Sequence, residues 1–190
     1  MNSRKFRLPD GAGTVAFPPS VLNHMYQFAQ RRFFAREAGG QLFSPNPEHI
    51  NVEVTHVSGP NPGDSRSRHG IIWHIGQANM DREKHFASER HAVGLWHTHP
   101  EEHPMPSAQD EKTTRQFLEG FHGTMTGFLL IIIGNKGDLP NMAVWLARDG
   151  TYQSWIPLVE VRDAQIEAAS GTCTANCTEA SVTTRPRFSP

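Results

Sequence analysis

Cysteine is nearly missing from this chain: Cys173 and Cys177 are the only two in 190 residues, and both stand close to the C-terminus. A disulfide framework is therefore excluded. A C-x-x-x-C pair without two further ligands reads as free thiols rather than as a structural zinc site. Long apolar runs are missing as well. The longest is Phe128 to Ile133, far below the roughly 20 residues of a membrane span. The opening stretch MNSRKFRLPDGAGTVAF has basic residues but no apolar segment of signal-peptide length. A soluble, cytoplasmic protein is the expectation. An excess of one charge is missing too: Lys and Arg number 18, Asp and Glu 19, for a net charge of -1. No electrostatic footprint for nucleic acid or an anionic membrane follows, so neither is expected as a partner. No internal repeat is visible, and the length suits one domain with a sizeable core.

What is present is an alternation of strand and helix signals. Lys5–Leu8 and Thr14–Phe17 read as edge strands around the turn Pro9-Asp10-Gly11. Ser20 reads as the N-cap of a helix to about Arg36, with Val21, Leu22, Met25, Phe28, Ala29 and Phe33 recurring at helical spacing and Gly39-Gly40 ending it. Gln41–Ser44 and Ile50–Val57 read as strands, and Ser58 to Gly70 as a long surface loop rich in glycine, proline and small polar residues. Ile71–Ile75 is a further strand, Gln77–Arg90 a helix, and Ala92–Trp96 a buried strand. The helix from Ala108 to about Phe121 turns Thr113 or Thr114, Phe117, Leu118 and Phe121 inward. Gly127–Ile133, apolar throughout, reads as a central strand covered on both faces. Met142–Ala147 follows, then a hairpin turn at Asp149-Gly150 into Tyr152–Val161, which Pro157 places at a sheet edge. The sum is an α/β fold with a mixed sheet, a domain over residues 1–163, and a small, polar, disordered tail over 164–190.

The chemistry is concentrated in GLWHTHPEEHPMPSAQD, Gly94 to Asp110. On a strand, residues i and i+2 point to the same side, so His97 and His99 can offer both imidazoles to one ion. On a helix, residues i and i+3 share a face, so Ser107 and Asp110 can look back at that ion together. Ser107-x-x-Asp110 is also a capping box, and a capping serine is fixed in space. Two imidazoles and one carboxylate are three protein ligands, the number a catalytic zinc uses when the fourth position is left to water. Amide hydrolysis further benefits from a general base that does not bind the metal. Glu37 is the best candidate for that role, because Gly39-Gly40 beside it would let another backbone pass close by, and a solvated glutamate at the end of the first helix is the other reading of it. Trp96 and Thr98 alternate away from the ligands, so Trp96 belongs to the core. Glu101, Glu102 and His103 read as a solvated loop between ligands that could also steer a substrate.

Glu37-Ala-Gly39-Gly40, then His97-Thr-His99-Pro100, Ser107 after seven intervening residues, and Asp110 resemble the signature of the JAMM (JAB/MPN) zinc metalloproteases at every position. The likeness in order of elements runs from residue 20 to about 160. It implies a cytidine-deaminase-like α/β fold, zinc on His97, His99 and Asp110, and Glu37 as general base and later proton donor to the leaving amine. It also implies a Ser107 hydroxyl that helps hold the oxyanion. Within the family, EAGGQLFS and GLWHTHPE look most like bacterial members encoded beside ubiquitin-activating-like and conjugating-like enzymes, as in CBASS anti-phage operons. That likeness implies deconjugation: cleavage of the bond joining the C-terminus of a ubiquitin-like modifier or a cGAS-like nucleotidyltransferase to a target, undoing the product of an E1-E2 fusion.

Two other readings stay open. One is processing of sulfur-carrier or ubiquitin-like precursors. The other takes the same two histidines and one carboxylate as the triad of a non-haem Fe(II) oxygenase, which leaves Glu37 and Ser107 without a task. The loop from Ser58 to Gly70 falls where family members clamp a modifier tail, and a plain surface loop fits it equally well.

Overall fold

The structure is a computed structural model, and it describes residues 1–119, 127–147 and 155–161. In chain order the elements are strand β1 (Arg4–Arg7), strand β2 (Thr14–Phe17), helix α1 (Pro19–Tyr26) and strands β3 (Gly39–Ser44), β4 (Asn51–Glu53), β5 (His56–Val57), β6 (Ser65–Arg66) and β7 (Ile71–Ile72). Helix α2 (Ile75–Phe86), strand β8 (His91–Thr98), helix α3 (Ala108–Glu119) and strands β9 (Phe128–Ile133), β10 (Met142–Ala147), β11 (Trp155–Pro157) and β12 (Val159–Glu160) follow.

A mixed six-stranded sheet in the order β11-β10-β9-β8-β3-β5 forms the centre, with β8 and β9 parallel and the other pairs antiparallel. The apolar run of β9 is buried on both sides, as its composition requires. Leu129, Ile131 and Ile133 pack with Trp96, Val21, Leu22, Met25 and Phe17 on one face. Phe128, Leu130 and Ile132 pack with Leu95 and Phe117 on the other. The first face is covered by α1 and a four-stranded sheet, β12-β1-β2-β4. The second carries α2, whose Ala78 carbonyl accepts from the Gln41 amide at 2.7 Å, and α3, whose Thr114 is buried and whose Phe117 ring stacks toward Phe128. Trp96 is fully buried, as its place in the alternation predicts.

Several expectations need correction. The helix expected from Ser20 to Arg36 stops at Tyr26, and Pro18 rather than Ser20 is its N-cap, without a side-chain hydrogen bond. Tertiary contacts override helix propensity there. The Gln30 amide donates to the Ala35 and Arg68 carbonyls, and the Arg68 guanidinium donates to those of Arg32 and Phe33, so carbonyls that a helix would use internally are taken from outside. Phe33, expected on a buried face, is 83% exposed. Gly39-Gly40 therefore opens β3 instead of ending a helix. The strand expected over Ile50–Val57 is two strands in different sheets, because the chain crosses over at Val54-Thr55: Val54 N–H donates to Ala16, and Thr55 N–H to Phe43. Strands β1 and β2 are interior to their sheet, not edges. The stretch from Ser58 to Gly70 is ordered and contributes β6, which pairs with β7. Helix α2 starts two residues before Gln77 and is capped by the His74 ring, which accepts from Gln77 N–H. The turn at Asp149-Gly150, the residues Tyr152 and Phe121, the boundary at 163, and the tail from 164 to 190 with Cys173 and Cys177 lie outside the described residues.

The pairing of β3 with β8 sets the site. Gly39 lies opposite His97, and Gly40 opposite Trp96. A Cβ on Gly39 would sit 2.6 Å from the Trp96 carbonyl oxygen, and one on Gly40 only 1.8 Å from the Ser58 carbonyl oxygen. The Trp96 carbonyl belongs to β8 and that of Ser58 is held by the Trp96 indole N–H at 2.9 Å, so the close approach requires glycine. Gly40→Ala is expected to lower stability by about 2 kcal/mol or more, read as a shift in the urea midpoint. An unchanged midpoint would mean that this approach is looser than described.

Candidate metal centre

Each residue of the site is brought in by a different element. His97 is the last residue but one of β8, and His99 stands just beyond the strand, where its N–H donates to the Ile133 carbonyl at 2.9 Å. This backbone bond keeps the alternation of the strand going one residue past its end, and the two Nε2 atoms come within 3.0 Å of each other. Asp110 arrives from the first turn of α3. Its carboxylate oxygens lie 3.0 Å from His97 Nε2 and 3.4 Å from His99 Nε2. The capping box is reciprocal: Asp110 N–H donates to Ser107 Oγ at 3.2 Å, while the Ser107 N–H and hydroxyl both donate to Asp110 Oδ2 at 2.7 Å. A serine that caps α3 thus also orients the carboxylate.

The three donor atoms lie within 4.8 Å of one another, and His97 and His99 are buried. Zinc bonds of about 2.0–2.1 Å at tetrahedral angles separate two ligand atoms by about 3.3 Å, close to the spacings found here. Two nitrogens and a carboxylate, drawn together in a buried pocket, fit a divalent zinc in both chemistry and size.

Glu37 lines the same cavity, of about 210 Å³, together with His97, His99, Ser107 and Asp110. Its backbone is held at both ends, with its N–H donating to Ser67 and its carbonyl accepting from Arg66. The next residue, Ala38, is paired to Thr98 between the two histidines: Thr98 N–H donates to the Ala38 carbonyl, and Ala38 N–H to the Thr98 hydroxyl. All five residues named from the sequence, Glu37, His97, His99, Ser107 and Asp110, are therefore brought together.

Residues 18–147 match the family model described as prokaryotic homologs of the JAB domain. The chain belongs to that family. Two relatives lie at about the same distance. A Vibrio cholerae protein named CD-NTase/cGAS isopeptidase is 28% identical over 120 residues, 61% of this chain and 73% of that protein. An Escherichia coli protein of the same name is 29% identical over 142 residues, 72% of this chain and 85% of that one. The solution structure of a Desulfitobacterium hafniense protein superposes with a TM-score of 0.54 at 17% identity, covering 77% of this chain and 88% of its own, a likeness of fold. Among the described residues, no helix is long and apolar enough to cross a membrane.

The electrostatics of this JAB domain separate its carboxyl groups by task. Burial alone would raise the Asp110 carboxyl, but hydrogen bonds from His97 and His99 outweigh it and hold the group well below the usual carboxylate range. Burial would lower the His99 imidazole, and the hydrogen bond and charge of Asp110 raise it instead. Glu37 behaves in the opposite way to Asp110. Burial pushes its carboxyl up to about 7, the neighbouring charges of Asp110 and Glu101 add to the effect, and His99 opposes it. Among the described residues nothing hydrogen-bonds the Glu37 carboxyl, so no donor offsets its loss of water.

Sequence reasoning missed part of the cavity wall. His69 and Ile71, beside or within the β6–β7 ribbon, and Trp73 line it, and no spacing rule marks them. Glu101, read from sequence as a solvated loop residue, has its carboxylate 3.4 Å from His99 Nδ1.

The raised Glu37 group has a consequence for stability. The folded metal-free chain binds this proton more tightly than the unfolded chain does. The carboxylate therefore costs stability increasingly as pH rises from about 4.5 to about 7, and by a constant amount above that. Glu37→Gln removes the cost. Metal-free Glu37→Gln is expected to be more stable than the parent by about 2 kcal/mol at pH 8, and nearly equal to it at pH 5, as measured by urea unfolding. An equal effect at both pH values would contradict the burial of this charge.

Proposed function

We propose that the chain is a zinc-dependent isopeptidase that removes a protein from the target to which its C-terminus is joined. The observation that carries this reading is the convergence of three donor atoms from His97, His99 and Asp110 within 4.8 Å, in a cavity that a buried Glu37 also lines. In this reading His97, His99 and Asp110 hold the ion. When bound, zinc supplies a water acidified to a pKa of about 7 and a Lewis acid for the scissile carbonyl.

The protein's own groups do the rest. The Glu37 carboxylate takes a proton from the attacking water and delivers it to the amine nitrogen as the carbon–nitrogen bond breaks. The products are a free C-terminal carboxyl on one protein and an amine on the other. A proton affinity near neutrality suits a group that must both accept and return a proton. Its backbone anchors on Ser67, Arg66 and Thr98 fix the segment that presents it. The Ser107 hydroxyl turns its proton from Asp110 Oδ2 toward the oxygen that gains negative charge, a rotation about its Cβ–Oγ bond that leaves Oγ in place to accept from Asp110 N–H. An iron oxygenase using the same two histidines and Asp110 would give neither Glu37 nor Ser107 any work.

The names of the Vibrio cholerae and Escherichia coli relatives support a cGAS-like nucleotidyltransferase as the protein released, in keeping with deconjugation in CBASS anti-phage defence. A ubiquitin-like modifier, or a precursor ending in a similar tail, is the second substrate to test. The assay uses fusions carrying either C-terminal tail. Cleavage directly after the nucleotidyltransferase tail is expected, abolished by chelator and by Glu37→Ala or Asp110→Ala. Ser107→Ala is expected to lower kcat by about a hundredfold, as loss of an oxyanion donor does. Cleavage that survives Glu37→Ala would refute the assigned base. Turnover that needs iron and oxygen would refute the peptidase.

A further inference from the structure

The metal-facing nitrogen of His99 is Nε2, which lies beside His97 Nε2 and Asp110. Its other nitrogen, Nδ1, faces away from them and meets the Glu101 carboxylate at 3.4 Å. A neutral imidazole has one donor nitrogen and one lone-pair nitrogen, and whichever hydrogen bond the far nitrogen makes decides which is which. A carboxylate at Nδ1 favours Nδ1–H, leaving the Nε2 lone pair free for an ion. From this geometry we infer that Glu101 is a positioning residue of the metal centre: it selects the ligating tautomer of His99 and holds its ring. The inference rests on the reading of His97, His99 and Asp110 as metal ligands.

The loop that carries Glu101 is built to keep it there. Asn135 N–H donates to the Glu101 carbonyl at 3.0 Å, and the Asn135 side-chain amide donates to the Pro100 carbonyl. The Asn141 amide donates to the Glu102 carbonyl at 2.8 Å, and Lys136 pairs with the Glu102 carboxylate at 2.7 Å. Gly134, at the end of β9, lets these backbones meet: a Cβ there would lie 2.7 Å from the Glu102 carbonyl oxygen and 3.1 Å from that of Glu101. The segment after His99 is thus registered on the segment after β9 by backbone carbonyls, and adjacent carboxylates are sorted by it. Glu102 is turned to Lys136 and Glu101 to the His99 ring. The Glu101 side chain is 56% exposed, so its influence is confined to the ring nitrogen it faces, where a nearby carboxylate favours the protonated form.

Glu102 is the matched control, since it shares the loop and the charge but not the ring. Zinc affinity of the full chain is measured by competition with a chromophoric chelator. Glu101→Ala is expected to weaken it by about tenfold or more, as loss of such outer partners does. Glu101→Gln, which keeps an acceptor oxygen, is expected to recover part of the loss, and Glu102→Ala to match the parent. Nitrogen-15 NMR of the zinc-loaded chain reads the partner of Nδ1–H independently. The His99 Nδ1 resonance is expected in the protonated range in the parent and displaced in Glu101→Ala. Parental zinc affinity in Glu101→Ala, or an equal loss in Glu102→Ala, would overturn the inference and leave the ligand assignment standing. A parent chain that takes up no zinc would overturn the ligand assignment, and this inference with it.

Discussion

The site depends on the seam between the start of β3 and the end of β8. Ala38 and Thr98 exchange two hydrogen bonds there, one from each backbone N–H, and Thr98 donates on to the buried Gln30 amide. Thr98 sits between the two histidines, and Ala38 is the residue after Glu37. A single buried pairing therefore fixes a carboxyl from one end of the chain against imidazoles from the middle. Gly39 and Gly40 make the pairing possible, because any side chain at either position would collide with the Trp96 or Ser58 carbonyl. The hydrophobic face behind the seam, with Trp96, Val93 and Leu42 fully buried, holds the strands in register.

Two carboxyl groups in one cavity are set to different chemistry by what surrounds them. Asp110 is half-buried and surrounded by donors: two imidazoles, a hydroxyl and a backbone N–H. It stays ionised, the state that the proposed ligand role needs. Glu37 is buried with its backbone anchored and, among the described residues, no hydrogen bond to its carboxyl, and burial raises its proton affinity toward neutrality. Pairs of titratable groups whose surroundings drive them apart in this way mark the division between holding a charge and moving a proton. The cost falls on stability, since a carboxylate stripped of water by burial opposes folding.

How much of this was legible in the sequence follows from how local each interaction is. His97-x-His99 and Ser107-x-x-Asp110 are set by the periods of a strand and of a helix turn, and both could be read from spacing. The covered strand Phe128–Ile133 and the buried Trp96 were legible for the same reason. Glu37 was harder. The glycines beside it signalled a close backbone approach, but they were read as a helix exit when they are the first residues of a strand. The residues between Gln27 and Arg36 have good helix formers and helical apolar spacing. What unwinds them is a set of carbonyl contacts from Arg68 and Gln30, one of them joining residues 38 positions apart. Likewise, no local pattern says that Val54-Thr55 is where one strand leaves one sheet for another, or that Ser65-Arg66 pairs with Ile71-Ile72 and anchors Glu37. Glu101 and Glu102 are identical in type and adjacent, and only the positions of Lys136 and His99 tell them apart.

The central claim is that three side chains bind one zinc while Glu37 stays off the metal and free to carry a proton. Anomalous diffraction at the zinc edge from crystals of the zinc-loaded chain tests it most directly. The account predicts one peak bonded to Nε2 of His97, Nε2 of His99 and an Asp110 oxygen, with the Glu37 carboxyl facing it but outside bonding distance. A peak that takes Glu37 as a fourth ligand, or that lies away from these three residues, would contradict it.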